Sequence, residues 1–167
     1  MRASRPEASM ELYRESVALF ATGIVVVTAD DPEGETRGAT VNSFTSISLD
    51  PPTVMVSLRK GKTHSLISGS GWYGVSVLGH GQSAYASHFS GPRDGHIEPR
   101  FVEGSHVATL EGSLARFECE VTREIQIHDH TLFVARVASA ATSSGAHDGG
   151  VPLVFFGSRH SHVLQLG

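Results

Sequence analysis

The sequence has few of the features that mark secreted, membrane-spanning or nucleic-acid-binding proteins. Its 167 residues include one cysteine, Cys119, so no internal disulfide can form. No apolar run approaches the ~18–20 residues that a membrane-spanning helix needs, and lysine and arginine form no dense run. Residues 1–16 lack the apolar segment of a secretory signal. We therefore expect a cytoplasmic protein that binds neither membranes nor nucleic acids.

Charge and length set two further bounds. The 13 lysines and arginines are outnumbered by 17 aspartates and glutamates, which gives a net charge of −4 with histidine neutral. The length is that of about one domain. Because repeats, low-complexity blocks and linkers are absent from the sequence, residues 1–167 are predicted to form a single domain.

The apolar runs are short, rich in valine, threonine and phenylalanine, and separated by glycines and turn residues, a pattern that predicts strands. Ala115, Phe117, Cys119 and Val121 alternate with polar residues, as in a half-buried antiparallel strand. Pro152 suggests that the last strand lies at a sheet edge. The predicted strands cover residues 24–29, 36–49, 53–58, 72–78, 115–122, 131–138 and 151–156, with loops at 90–104 and 140–150.

Two or three short helices complete the prediction. Ser4 is a candidate N-cap for a helix that carries an apolar stripe and ends at Gly23. Further short helices are expected at residues 63–68, ending at Gly69, and at 82–89. Most connections are too short for parallel crossovers, so we expect a mainly β fold, an antiparallel barrel that is closed or nearly closed. The stripe of the first helix consists of Met10, Tyr13, Val17 and Phe20.

Residues 39–52 form an unusually polar predicted strand. Along one strand, Asn42, Phe44 and Ser46 would share one face, and Val41, Ser43 and Thr45 would share the other. Two interpretations are open. The hydroxyl groups either face solvent and pair across strands, or they form a polar cradle for a ligand such as an isoalloxazine ring.

A basic loop precedes the second predicted helix. Arg59, Lys60 and Lys62 lie beside Gly61 and Thr63, and a helix N-terminus with nearby cations suits a phosphate group. The spacing is not that of a P-loop. A solvated basic turn is the alternative interpretation.

Histidines and aromatic residues give weaker signals. His128 and His130, like His160 and His162, have the H-x-H spacing that places two rings on one face of a strand. No cysteine, and no acidic residue at a suitable spacing, completes a metal site, so we expect none. In the pair Phe155–Phe156, one ring is expected to face the core and the other a ligand, with Arg159 nearby.

Several motifs occur in an order that resembles the short-chain flavin reductases, the reductase components of two-component flavin monooxygenases. The similarity extends over about residues 13–163. The motifs are residues 20–23 (FATG) before a VVVT strand, the block 39–52, a Ser/Thr segment at Thr63, residues 89–91 (FSG), residues 129–133 (DHTLF), and Pro152–Leu153.

The resemblance implies a Greek-key, antiparallel split β-barrel of the FMN-binding type that forms a homodimer. It implies hydride transfer from NADH or NADPH to FAD or FMN, and delivery of the reduced flavin to a separate monooxygenase. The residues leave two other functions open. One is a non-catalytic flavin-binding barrel that acts as a sensor or electron carrier. The other is a metal-dependent cupin-like enzyme, against which the sequence argues because the acidic residue and the distal histidine of the cupin pattern are missing.

The resemblance also assigns roles to residues. His130 would position the nicotinamide as the catalytic residue, next to Asp129, although His128 stands where the family usually has glycine. The family's aromatic pair with a following basic tail corresponds to Phe155–Phe156 and the residues after it, which include Arg159, here without tyrosines; Phe156 and Arg159 are the cofactor-binding candidates of this segment. The isoalloxazine ring and ribityl chain would contact Asn42, Ser43, Phe44, Thr45 and Ser46. The ribityl and phosphate groups would be held by Ser57, Leu58, Arg59, Lys60, Lys62 and Thr63. The flavin would be flanked by Ser87, His88 and Phe89.

Overall fold

Antiparallel strands make up most of the computed structural model, which describes residues 9–91, 97–146 and 150–162. Three short α-helices are present: α1 (Met10–Ala18), α2 (Lys62–Ser70) and α3 (Ser83–His88), the last preceded by a 3-10 turn at His80–Gln82. The predicted mainly β fold is confirmed. The strands are β1 (Thr22–Gly23), β2 (Val25–Asp30), β3 (Thr36–Val41), β4 (Thr45–Leu49), β5 (Pro52–Arg59), β6 (Trp72–Val77), β7 (Phe101–Val102), β8 (Thr109–Leu110), β9 (Ala115–Ile127), β10 (His130–Thr142), β11 (Leu153–Phe156) and β12 (Arg159–His162).

The main sheet has seven strands in the order β3-β2-β6-β9-β10-β5-β4, and every pairing is antiparallel. The hydroxyl of Ser43, just after β3, donates to the carbonyl of Ser57 in β5 and accepts from its N–H, both at 2.9 Å. These bonds connect the chain just beyond β3, at one end of the sheet, to β5, which is next to the other end, so the sheet curves into a barrel. A second sheet, β1-β11-β12, and the β7-β8 pair lie outside it.

Strand β2 is buried on both faces, as its largely apolar sequence predicts. Val25 and Val27 pack in a core cluster with Tyr73 and Phe133. Val26 packs in a second cluster, together with residues of α3, β8 and β11. Burying each such side chain contributes about 1.5–3 kcal/mol, so the two clusters fix the barrel and the elements packed on its outer face.

Helix α1 differs from its prediction at both ends. It begins at Met10, where the Ser9 side chain accepts a 3.2 Å hydrogen bond from the N–H of Leu12. The predicted cap at Ser4 lies outside the described residues. The helix ends at Ala18, not Gly23, because Thr22–Gly23 pair with β11. No described helix has the length and hydrophobicity needed to cross a membrane.

The predicted strand over residues 36–49 is wrong as one element. Strand β3 ends at Val41 and β4 begins at Thr45, because β3 pairs with β2 while β4 pairs with β5 at the opposite end of the sheet. The chain must change partners between them. The predicted sharing of faces by Asn42, Phe44 and Ser46 therefore fails, since these residues do not belong to one strand.

Other boundaries also need correction. Strand β10 continues to Thr142, paired with β9, where a loop was expected from residue 140, and β7 interrupts the loop expected at 90–104. Strand β11 lies between β1 and β12 and is not an edge; Pro152 precedes it. Helix α2 ends at Ser70 and is capped by Gly71, whose φ of +75° suits glycine, and the predicted end at Gly69 is wrong.

Candidate functional site

A cleft of about 380 Å³ opens where β3, β5, α3 and β10 meet. It brings together seven of the predicted site residues from four separate segments. It also includes Thr40 and Ser90, which the sequence analysis did not select. The lining consists of Ala39, Thr40, Val41, Asn42, Ser43, Ser57, Leu58, Arg59, Phe89, Ser90 and His130.

The inner wall of the cleft is held by hydroxyl-to-backbone hydrogen bonds. Ser43 bonds to both backbone groups of Ser57, and the Thr40 hydroxyl donates to the carbonyl of Ala86 at 2.8 Å. The N–H of Thr40 donates to the carbonyl of Phe89 at 3.0 Å. The sequence left open whether these polar side chains pair with other strands or bind a ligand. In the structure their hydroxyl groups bond to the backbone of neighbouring elements, and the same residues line the cleft.

The Phe89 ring lies directly on strand β3 at Gly38. A Cβ atom added to Gly38 would be 2.7 Å from Cδ1 of Phe89 and 3.1 Å from Cγ1 of Val26, so only glycine allows this approach. Sequence reasoning missed Gly38, although a glycine inside a strand pattern is a known signal of close packing. The contact fixes the position of one wall of the cleft.

The outer rim of the cleft carries a carboxylate between two basic groups. Nδ1 of His130 donates to Oδ1 of Asp129 at 2.9 Å, and Nε of Arg59 lies 3.4 Å from Oδ2. Arg59 and His130 are register partners on β5 and β10. The hydrogen bond from His130, assisted by the charges of His130 and Arg59, lowers the pKa of Asp129. The side chains of Arg59 and Asp129 are largely exposed, and that of His130 is 45% exposed.

The turn before this rim has a backbone conformation that favours glycine. His128 has a φ of +52°, in the left-handed region, between the end of β9 and the start of β10. This geometry accounts for the glycine usual at that position in the resembling family. A histidine there accepts some backbone strain, while Asp129 and His130 keep their places.

Several predicted site residues lie outside the cleft lining. The Phe44 ring packs against the core and stacks on Phe117 with a centroid distance of 5.8 Å. Thr63 is buried at the start of α2. Thr45 and Ser46 are exposed on β4, Lys60 and Lys62 are exposed around the start of α2, Ser87 is exposed on α3, and His88 lines a different pocket.

Phe156 and Arg159 also lie outside the cleft, as exposed register partners in the β11–β12 hairpin. Their neighbours Phe155 and His160 line a smaller cleft of about 230 Å³. That cleft continues the main one, since both include Thr40, Val41, Asn42 and Ser90. The sequence missed β12, and with it the position of His160.

Metal or thiol chemistry finds no support in the described residues. Within residues 9–91, 97–146 and 150–162, no three His, Cys, Asp or Glu side chains form a group that could hold a metal ion. Cys119 is buried, and its burial raises the pKa of the thiol to about 12. A neutral thiol in the core is a poor nucleophile.

Comparison with known proteins gives consistent matches along the chain. The flavin reductase like domain model matches residues 17–163. The NADH-dependent flavin reductase StyB of Pseudomonas fluorescens is 50% identical over 156 residues, which cover 92% of this chain and 91% of that protein. An NADH-dependent flavin reductase of a Rhodococcus species is 38% identical over 165 residues, with coverages of 97% and 91%.

A solved structure agrees with the sequence matches. The styrene monooxygenase flavin reductase SMOB of Pseudomonas putida S12 superimposes with a TM-score of 0.84 at 48% sequence identity. The alignment covers 91% of this chain and 97% of that one. Similarity thus extends to the whole barrel, including the segments that form the cleft.

Proposed function

Because the chain belongs to the flavin reductase like domain family, we propose that its 380 Å³ cleft binds flavin and reduced nicotinamide together. The family predicted from the ordered motifs and its antiparallel split-barrel fold are both confirmed. The chain is a nicotinamide-dependent flavin reductase, which transfers hydride to FAD or FMN. The observation that supports the cleft as the site is that seven predicted residues from separate segments meet there.

The residues of the cleft suit a flavin. An isoalloxazine ring has a polar edge and a flat apolar face, and the cleft offers Asn42 and the backbone of residues 42–43 beside Leu58 and the Phe89 ring. When both ligands are bound, the nicotinamide supplies the hydride and the flavin accepts it. The protein contributes position: its walls, fixed by the Ser43–Ser57 and Gly38–Phe89 contacts, hold the two ring systems together and exclude water.

We assign His130 to the nicotinamide side. Its ring lines the cleft, and Asp129 orients the ring through Nδ1, which leaves Nε2 as the nitrogen available to a ligand. Asp129 is held in turn by Arg59 and by a 3.3 Å hydrogen bond from the N–H of Lys60 to its carbonyl oxygen. In this arrangement His130 positions the nicotinamide, and no covalent nucleophile is required.

Phosphate binding is assigned to the basic loop before α2. Arg59 lines the cleft, while Lys60 and Lys62 are exposed nearby with the backbone N–H groups of the helix start. Replacing Lys62 with alanine should raise the Kd of FMN about ten-fold through a lost charge-assisted contact. Riboflavin, which lacks the phosphate, is the control ligand; an equal loss for riboflavin would contradict the assignment.

We propose a homodimer because the apolar side chains of α1 are exposed to solvent in the single chain. The helix has no buried residue: its Met10, Tyr13 and Val17 are 71%, 63% and 49% exposed, and Phe20, just beyond the helix, is 73% exposed. The N–H of Gly157 donates to the carbonyl of Ala18 at 2.8 Å, which attaches the helix to the hairpin beside the smaller cleft. A second copy covering this apolar stripe would add a wall near the site.

Light scattering tests the dimer directly. We expect the wild-type chain to be a dimer at micromolar concentration and Val17→Glu to be largely monomeric with reduced activity. Glu15→Gln, an exposed change on the same helix, is the control. A stable wild-type monomer with full activity would contradict the proposal.

The reduced flavin is proposed to leave the cleft and serve a separate monooxygenase in the cytoplasm. The similarity to a styrene monooxygenase flavin reductase supports a partner of this class. The test mixes NADH or NADPH with the protein and an excess of free FAD or FMN. We expect many turnovers per protein; a single stoichiometric reduction of bound flavin would indicate an electron carrier instead.

A further inference from the structure

His64 lies in the first turn of α2 and does not line the cleft. Its Nε2 atom is 2.8 Å from Oγ1 of Thr131, a hydrogen-bond distance. Its ring also meets the ring of Phe133 edge to face, with centroids 5.1 Å apart. His64 is half-buried, whereas Thr131 and Phe133 are buried in β10. The imidazole therefore fixes the start of α2 against the strand that carries His130.

Two hydrogen bonds connect the basic loop and the start of α2 to the start of β10. The N–H of Lys60, in the loop, donates to the carbonyl oxygen of Asp129 at 3.3 Å. The second bond joins His64 to Thr131. Because His130 stands between Asp129 and Thr131 in the chain, the loop is attached on both sides of that histidine. The distance from the loop to His130 is therefore set by these two bonds.

The bond between His64 and Thr131 is the better protected of the two. Thr131 is 4% exposed, so water cannot readily replace the imidazole as the partner of its hydroxyl. A buried polar group that loses its partner is destabilising. The bond from Lys60 to Asp129 is longer and joins two exposed residues, where water competes with it. The position of the α2 start consequently depends mainly on His64.

Helix α2 has another contact with the β9–β10 hairpin, farther from the basic loop. The Ser68 hydroxyl donates to Oε2 of Glu124 on β9 at 3.0 Å, and both residues are exposed. This bond also attaches the helix to the hairpin, but it lies toward the other end of the helix. It can therefore serve to separate a general effect on α2 from an effect on the loop.

Hydride transfer depends on the placement of both ligands, because the reacting atoms must lie about 3–3.5 Å apart, and a misplacement of about 1 Å can cost about a hundred-fold in rate. The function proposed above anchors the flavin phosphate at the basic loop and the nicotinamide at His130. We propose that His64 is a positioning residue, which acts through Thr131 to set the distance between these two anchors. The inference rests on that proposed function and deepens it.

The test compares FMN with riboflavin, because only FMN has a phosphate that the loop can hold. Thr131→Val removes the hydroxyl at nearly constant volume, and His64→Phe keeps a ring against Phe133 without the hydrogen bond. At saturating NADH and flavin, we expect each variant to slow the single-turnover reduction of FMN about three- to ten-fold, and that of riboflavin less than about two-fold. His64→Gln, whose amide can bond to Thr131, should recover most of the FMN rate.

Ser68→Ala is the matched control, because it removes the other hydrogen bond between α2 and the hairpin. It should reduce both flavins at wild-type rates. Denaturant unfolding checks that every variant is folded at the assay temperature. Equal slowing of FMN and riboflavin would show that His64 has a structural role alone, and wild-type FMN rates in Thr131→Val would show that the bond does not matter. Either result would overturn the inference.

Lys62→Ala distinguishes this inference from the function on which it rests. If that variant binds FMN more weakly but riboflavin as before, while the His64 variants affect both flavins alike, the phosphate site stands and the positioning role of His64 is wrong. If Lys62→Ala also affects both flavins alike, the loop does not bind the phosphate, and the assignment of the loop fails together with the inference.

Discussion

The inner wall and the outer rim of the cleft are built from different kinds of contact. On the wall, the hydroxyl groups of Thr40 and Ser43 form hydrogen bonds with backbone atoms, and Phe89 packs on Gly38. On the rim, Asp129 and His130 meet through exposed charged or polar atoms. The wall is therefore part of the folded framework, whereas the rim is free to respond to ligands and to pH.

This difference separates the expected effects of substitution. Changes in the wall should lower the free energy of unfolding, and they should lower flavin affinity as a consequence. Changes in the rim should alter kinetic constants while the fold stays intact, because exposed ion pairs contribute little to stability. Each prediction below tests one side of this contrast.

The largest effect is expected for Gly38→Ala. The added Cβ would lie 2.7–2.8 Å from the Phe89 ring, so the ring must move from its place in the cleft wall. We expect a loss of about 1–3 kcal/mol in unfolding free energy, typical of overpacking, and at least a ten-fold rise in the flavin Kd. Denaturant unfolding and fluorescence quenching measure the two quantities.

A second glycine provides the control for this change. Gly69 lies near the end of α2, and a Cβ added there would meet no atom within 4 Å. Gly69→Ala should raise stability by about 0.5–1 kcal/mol and leave flavin binding unchanged. Equal flavin affinity in both variants would show that Phe89 does not form the wall.

Ser43→Ala should have the next largest effect. Pairing between β4 and β5 reaches only to Met55, and the Ser43 side chain continues it by bonding both backbone groups of Ser57. Loss of these bonds should cost about 1–2 kcal/mol of unfolding free energy. Ser46→Ala, on the exposed strand β4, should stay within about 0.5 kcal/mol. Similar midpoints for both variants would mean that Ser43 does not close the barrel.

Part of the fold and of the cleft could be predicted from the sequence. Runs such as residues 24–29 and the alternation at residues 115–121 indicate strands because their burial is set locally by side-chain type. Asn42 and Ser43 from the polar block at 39–52 and Arg59 from the basic loop line the cleft, while their roles in binding a ligand stay predictions. In these segments, the residue types that suggest a site also lie at the cleft in the structure.

The missed features depend on contacts between distant parts of the chain. The change of partner between β3 and β4 places Phe44 in the core, and periodicity along one strand cannot reveal a change of partner. The pairing of Arg59 with Asp129 requires β5 and β10 to be neighbours in register. Likewise, His160 reaches the smaller cleft only because β12 folds back on β11.

On the rim, His130→Ala should reduce kcat/KM for NADH about ten-fold, a loss of about 1.4 kcal/mol in transition-state stabilisation. The flavin Kd, measured without NADH, should stay within about two- to three-fold, because the wall is unchanged. His128→Gly is the control: glycine accepts the positive φ of the turn, so it should retain wild-type kinetics. Wild-type rates in His130→Ala would remove His130 from the mechanism.

The smallest effect concerns the pH dependence of stability at Asp129. Its pKa is lowered in the folded chain, first by the hydrogen bond from His130 and then by the nearby positive charges. The folded state therefore favours the ionised carboxylate more than the unfolded state does. The resulting stabilisation is complete above the ordinary aspartate pKa of about 3.9 and is lost as the pH falls through the lower folded value.

Thermal unfolding of the wild type and Asp129→Asn between pH 2.5 and pH 7, at low salt, measures this contribution. We expect the difference in Tm to shrink as the pH falls below about pH 4, where the carboxylate of the wild type becomes protonated. Added salt should reduce the difference at neutral pH, since the group is exposed and its charges are screened. A difference in Tm that does not change with pH would mean that Asp129 acts through neutral hydrogen bonds alone, and the rim would then resemble the wall.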